Sequence, residues 1–108
     1  MVTGRDITLI RKELLNLFPE AQKIRKRKLT KSEVENNTQS QGYYFFLYLD
    51  KGKKLILNMT PDYLEYHSFE DIIKHLQRNI YYVMKSNINR TIHLLKNFEI
   101  EVEEVGFA

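Results

Sequence analysis

The sequence predicts a small α+β domain, and its length and two local patterns carry that prediction. The chain has 108 residues, which is the usual size of one domain. Residues 6–18 repeat apolar side chains at helical spacing, whereas residues 43–49 are an aromatic and aliphatic run typical of a strand. We therefore expect one domain over residues 1–108. It should hold a three-stranded or four-stranded antiparallel sheet, with an N-terminal helix and one long helix packed on one face.

The first helix is followed by a connecting segment over residues 19–42 that is basic and then polar. Pro19 ends the first helix, because proline disfavours the helical conformation of the residue before it. Two interpretations remain open for residues 19–35: a second, basic helix that begins at Pro19, or an edge strand over residues 23–29. Thr30 and Glu33 have the spacing of a capping box, which predicts a helical turn over residues 31–35. The polar run 36–42 predicts an exposed loop.

Residues 43–60 predict an antiparallel hairpin. The sequence Asp50-Lys51-Gly52-Lys53 places a glycine where a tight turn needs a positive φ, and residues 55–59 form the returning strand. The first strand is apolar on both faces, which is typical of a central strand. Alternation puts Tyr43, Phe45, Leu47 and Leu49 on one face and Tyr44, Phe46 and Tyr48 on the other.

The next helix begins after Ser68, which has the character of an N-cap, with Asp71 in the first turn. Apolar residues keep helical spacing over residues 69–96. A helix of 28 residues would be about 42 Å long and would overhang a strand of roughly 23 Å. The helix therefore either breaks near Ser86-Asn87-Ile88-Asn89 or packs its far half on something else, for which a second copy of the chain is the simplest candidate.

The last strand is predicted where Phe98, Ile100 and Val102 alternate with three glutamates. A strand–helix–strand connection would place it parallel to residues 55–59. That placement would leave residues 43–49 at an edge, against their two apolar faces. We therefore expect the last strand on the other side of residues 43–49, with antiparallel neighbours throughout the sheet.

Composition excludes several classes of protein. Hydrophobic residues are 43% and charged residues 29% of the chain, which is ordinary globular usage and excludes wholesale disorder. Cysteine is absent, which excludes disulfides, thiolate catalysis and zinc sites built on sulfur. No stretch approaches the ~20 apolar residues that cross a bilayer, and the N-terminus lacks the apolar core of a signal peptide. We expect a cytoplasmic protein without a membrane partner.

Positive charge is concentrated after the first helix. The formal net charge is only +3, yet six cations fall within residues 23–31 with no acid among them: Lys23, Arg25, Lys26, Arg27, Lys28 and Lys31. Such a run resists burial, so it forms a solvated face or meets an anionic partner. These residues are the candidate contacts for nucleic acid or for an acidic protein.

Two helices on one face of the sheet leave the opposite face of the central strand, with Tyr44, Phe46 and Tyr48, to be covered by something else. The candidates are residues 19–41, a second copy of the chain, or a nucleic acid whose bases stack on the rings. We expect a small binding protein associated with nucleic acid through the basic segment and these aromatic side chains. The alternative is a protein-interaction or regulatory module, a homodimer or an adaptor, without nucleic acid. In either case we expect a homo-oligomer.

Catalytic patterns are few. His67, Asp71 and His75 lie four residues apart, a spacing that serves a metal or a proton transfer on a helix, but a cap at Ser68 places His67 outside that helix. His93 is isolated at a helix border. No glycine loop is present that could cradle a phosphate, and no serine has an activating context. We therefore expect no catalytic residues, no metal, no cofactor and no enzyme.

Overall fold

The fold is known from a computed structural model that describes residues 2–29 and 42–103. It is a small α+β domain, so the predicted class is confirmed. A 3-10 turn (Asp50–Gly52) joins the second and third strands, and a π-helical turn (Leu76–Ile80) joins the last two helices. The elements in chain order are α1 (Gly4–Leu17), β1 (Lys23–Lys28), β2 (Tyr43–Tyr48), β3 (Lys54–Met59), α2 (Pro61–Tyr66), α3 (Phe69–His75), α4 (Tyr81–Lys85), β4 (Thr91–Leu94) and β5 (Ile100–Val102).

The first helix forms as predicted and begins two residues earlier. Thr3 and Asp6 make a capping box: the Thr3 hydroxyl accepts from the Asp6 amide at 3.2 Å, and the Asp6 carboxylate accepts from the Thr3 amide at 3.0 Å. This satisfies amide donors that a helix start leaves unpaired. Ile7, Ile10 and Leu14 form the buried stripe.

Within residues 2–29 and 42–103 the sheet has five strands in the order β1-β2-β3-β4-β5, one more than the largest number expected. The edge-strand interpretation of residues 23–29 is confirmed, because β1 pairs antiparallel with β2. β1 occupies the place beside β2 that we expected for the C-terminal strand, which pairs with β4 instead. The expectation of antiparallel neighbours throughout is corrected, since β3 and β4 are parallel. β2 remains central, as its two apolar faces indicate.

The single long helix over residues 69–96 is also corrected. Ser68 caps α3 as predicted, and the helical segment ends at Lys85 with Ser86 as its C-cap, so the alternative of a break near Ser86-Asn87-Ile88-Asn89 is confirmed. Asn89 has a φ of 67°, its amide donates to the Lys54 carbonyl at 2.7 Å, and its side chain accepts from the Lys54 amide at 2.9 Å. This turn directs Ile92 into β4, so the apolar spacing near the end of the segment belongs to a strand.

A short helix that the sequence analysis missed, α2, begins the connection from β3 to β4. Thr60 caps it by accepting from the Tyr63 amide at 3.3 Å, and Pro61 occupies a first-turn position where its missing amide costs nothing. The Thr60 hydroxyl also donates to the Leu94 carbonyl at 2.6 Å, which ties α2 to β4. Helices α2, α3 and α4 together form the crossover that two parallel neighbouring strands require.

The helices cover one face of the sheet, called here the covered face. Phe45, Leu47 and Leu57 on this face have no exposed surface and form one core with residues of α1 and α3. The other side is called the open face and carries Tyr44, Phe46 and Tyr48 on β2. None of the helices in the described ranges 2–29 and 42–103 is long and apolar enough to cross a membrane.

Candidate functional site

The strand β1 divides the candidate cations between the two sides of the sheet. Pairing and alternation place Lys23, Arg25 and Arg27 on the open face. Lys26 and Lys28 lie on the opposite side of the strand with Ile24, which is buried against the helices. Lys31, the helical turn 31–35 and the loop 36–41 lie outside the described residues. The charge run therefore brings three cations, rather than six, to the open face within the described part of the chain.

Each open-face cation of β1 lies directly beside an aromatic side chain of β2. The strand register pairs Arg27 with Tyr44 and Arg25 with Phe46. Lys23 is paired in the same way with Tyr48. All three aromatic side chains are half-buried, and the ring centroids of Tyr44 and Phe46 are 5.8 Å apart. The result is two parallel rows, one cationic and one aromatic, in register.

Two of the three open-face cations of β1, Arg25 and Arg27, pack on the aromatic rings of β2. The Cζ atom of Arg27 lies 4.9 Å from the Tyr44 centroid, and that of Arg25 lies 5.1 Å from the Phe46 centroid. At such distances the ring quadrupole attracts the cation. A guanidinium that stacks on a ring by its plane keeps its N–H donors in that plane, so it can still bind a phosphate oxygen. Lys54 on β3 places its Nζ atom 5.7 Å from the Tyr48 centroid, a further contact of this kind that the sequence analysis did not identify.

The other half of the open face is built around His93, a residue that the sequence analysis assigned to a helix border. His93 lies on β4 beside Asn58 of β3. The Asn58 Nδ2 atom lies 2.8 Å from His93 Nδ1, and His93 Nε2 lies 2.7 Å from a carboxylate oxygen of Glu103. Both ring nitrogens of His93 therefore have a hydrogen-bond partner within the sheet. The Asn58 Oδ1 atom is buried and has no hydrogen-bond partner among the described residues.

Charge changes sign across the open face. The β1 edge carries three cations, whereas Glu101 and Glu103 lie exposed at the β5 edge. Five strands at about 4.8 Å spacing place these edges roughly 19 Å apart. An anion approaching the open face is attracted to the β1–β2 half and repelled from the β4–β5 half.

The histidines near α2 and α3 form a packed cluster instead of a metal site. His67 follows the end of α2 in an extended conformation, and its ring stacks on Phe98 at 3.8 Å between centroids. Its Nε2 atom is hydrogen-bonded to the Lys96 carbonyl. His75 lies at the end of α3, with its Nδ1 atom 2.9 Å from the Tyr63 hydroxyl. No group of three or more potential metal ligands occurs among residues 2–29 and 42–103.

Burial controls the protonation of this cluster. Tyr63 is fully buried, and burial raises the pKa of its hydroxyl above the ordinary range. Burial, and secondly the charge of nearby His67, lowers the pKa of His75. The neutral imidazole of His75 is thereby favoured. The cluster joins the turn before β5 to the helical layer.

Comparison with known proteins finds no protein family, no curated protein and no solved structure that matches the chain.

Proposed function

We propose that the protein is a non-catalytic nucleic-acid-binding protein that uses the β1–β2 half of its open face. The observation that carries the proposal is the register between three cations of β1 and three aromatic side chains of β2. Nucleic acid offers a phosphate and a base in every nucleotide. Cations bind the phosphates and position the nucleic acid strand. Aromatic or guanidinium planes stack on the bases. The paired rows provide both kinds of contact side by side.

The rest of the open face supports the same choice of ligand. Glu101 and Glu103 repel phosphates from the β5 edge, so a bound nucleic acid is confined to the β-strands that carry cations.

A homodimer that packs open face on open face is the second candidate, and the opposite charges of the two sheet edges favour it. A two-fold axis parallel to the strands would place the basic β1 of one copy opposite the acidic β5 of the other. An axis across the strands would instead oppose β1 to β1, which like charges disfavour. This dimer would cover Phe46 and compete with nucleic acid for the same surface.

A pair of charge-neutralising variants on β1 tests the proposal. Arg25→Gln removes an open-face cation, and Lys26→Gln removes the same charge from the neighbouring residue on the other side of the strand. We expect fluorescence anisotropy at low salt to show binding of a mixed-sequence oligonucleotide that Arg25→Gln weakens severalfold more than Lys26→Gln does.

Three outcomes would contradict this proposal. No binding at about 100 μM protein, the weak end of ordinary non-specific affinity, would reject nucleic acid as the ligand. Equal losses in the two variants would show attraction by net charge alone. A stable dimer by light scattering, which Arg25→Gln dissociates and oligonucleotides do not, would favour the homodimer.

A further inference from the structure

The spacing of the aromatic row limits the form of nucleic acid that fits it. Tyr44, Phe46 and Tyr48 are alternate residues of one strand, so their Cα atoms follow each other at about 6.7 Å, twice the rise per strand residue, and the ring centroids of Tyr44 and Phe46 are 5.8 Å apart. Successive nucleotides of a stacked strand in duplex DNA advance only about 3.4 Å. About two stacked nucleotides would therefore lie within the spacing of one ring. One nucleotide per ring requires a strand whose bases are separated from each other.

We propose, building on the function proposed above, that the ligand is an extended single strand bound as three consecutive nucleotides, one for each aromatic–cation pair. The strand lies along β2. Each base stacks against Tyr44, Phe46 or Tyr48 or against the guanidinium packed on it, and each phosphate contacts the cation of β1 in register with that ring. The repeating unit of the protein, one ring and one cation every two residues, matches the repeating unit of the ligand.

The residues around the aromatic row limit the site to three stacked nucleotides. Gly42, two residues before Tyr44, has no side chain to stack on. Beyond Tyr48 the strand ends and the turn carries an exposed acid, Asp50. Towards β3 the face continues with Ile56 and Asn58, which are buried and offer no aromatic plane. The site is therefore closed to a fourth stacked base in each of these directions.

The same geometry disfavours double-stranded ligands. The bases of a duplex are stacked on their neighbours and paired with the opposite strand, so their faces are not available to rings on a protein surface. A duplex would meet only the cations and would lose the contribution of the aromatic row. Single strands of RNA and of DNA share the phosphate spacing and the base faces that the site uses.

A length series tests this inference. Labelled 5′-phosphorylated homopolymers of one to six nucleotides, as RNA and as DNA, are titrated against the full chain by anisotropy beside a duplex of the same length. We expect affinity to rise with oligonucleotide length up to three nucleotides. Beyond that length it should gain only the small statistical factor that comes from the additional positions at which a longer strand can bind. At three nucleotides the logarithm of affinity against the logarithm of salt concentration should have a slope of about −2, since each phosphate on a single strand contributes about −0.7.

The central ring provides the matched variant. Phe46→Leu removes the aromatic plane and keeps apolar bulk, and we expect it to weaken trinucleotide binding about 5-fold to 150-fold, the usual value of one base–aromatic stack. Tyr82→Leu is the control, because Tyr82 is an aromatic residue of α4, 63% exposed and away from the sheet. It should leave binding unchanged.

The outcomes separate this inference from the function on which it rests. If no oligonucleotide binds, the proposed function itself fails. If oligonucleotides bind but affinity keeps rising beyond three nucleotides, or the duplex binds as well as the single strand, the protein binds nucleic acid and the three-nucleotide register is wrong. Equal affinities of Phe46→Leu and the unchanged chain would likewise overturn the stacking role of the central ring.

Discussion

Neighbouring residues of β2 lie in opposite surroundings, and their contrast separates packing from the proposed recognition. Phe45 has no exposed surface and belongs to the core formed with the helices, whereas Phe46 is half-buried beneath the Arg25 guanidinium. Burial of apolar area stabilises the first ring. The second is held by a cation that still carries charge to the surface. Aromatic composition alone does not distinguish the buried ring from the surface ring. What distinguishes them is the part of the structure that packs against each ring.

Truncation of the two rings should have very different costs. Phe45→Ala removes a fully buried ring and leaves a cavity that the helices close only in part, so we expect the free energy of unfolding to fall by about 3–5 kcal/mol. Phe46→Ala should cost less than half as much, because its ring is already partly in water. Urea melts of the two single mutants measure the difference.

The contrast between the faces fails if the two mutants lose equal and large stability. In that case the central strand is buried on both sides by its own chain, and the aromatic row has no surface to offer a ligand. A Phe46→Ala protein that remains folded is also the form in which a binding defect can be measured without interference from unfolding.

The parts of the fold that depend on local signals could be predicted from the sequence. The helix start at Ser68 follows from cap chemistry, and Gly52 has the positive φ of 72° that the turn requires. The alternate burial of residues 43–48 follows from the period of a strand. Each of these is decided by residues within a few positions of each other.

The parts that depend on distant residues could not be predicted. Residues 88–95 have apolar spacing that suits a helix, whereas in the structure Asn89 turns the chain, bonds to Lys54 and is followed by β4, which pairs with β3 and β5. The placement of β1 beside β2 fixes which cations face the aromatic row, and it depends on pairing between segments separated by residues 29–42. The Thr60-Pro61 pair of α2 and the Thr3–Asp6 capping box of α1 are local signals that the sequence analysis overlooked.

The close packing of the helical layer on the sheet gives a second test of the contrast between the two faces, with a smaller expected effect. A Cβ atom added at Gly42, at the start of β2, would lie 2.4 Å from Leu29 Cδ1 and 2.8 Å from Pro61 Cδ. The leucine side chain can move, but the proline ring at the start of α2 cannot do so easily. We expect Gly42→Ala to cost about 1–3 kcal/mol in thermal or urea unfolding, as overpacking usually does.

Gly4→Ala is the matched control for this substitution, since nothing lies within 4 Å of a Cβ atom at Gly4, in the first turn of α1. It should be neutral or stabilise the chain by up to about 1 kcal/mol. Equal effects of the two substitutions would mean that the helical layer does not close on the sheet at the start of β2.

The smallest expected effect is a dependence of stability on pH that belongs to the helical layer and not to the open face. The pKa of His75 is lowered in the folded state by burial and by His67, so below about pH 6.5 the unfolded chain binds a proton that the folded chain resists. The free energy of unfolding should therefore decline as the pH falls from 7 to 5. His75→Gln should reduce that decline, whereas His93→Gln, on the open face, should leave the His75 contribution in place. Urea melts across this pH range measure both variants, and an unchanged decline in His75→Gln would assign the titration to another group.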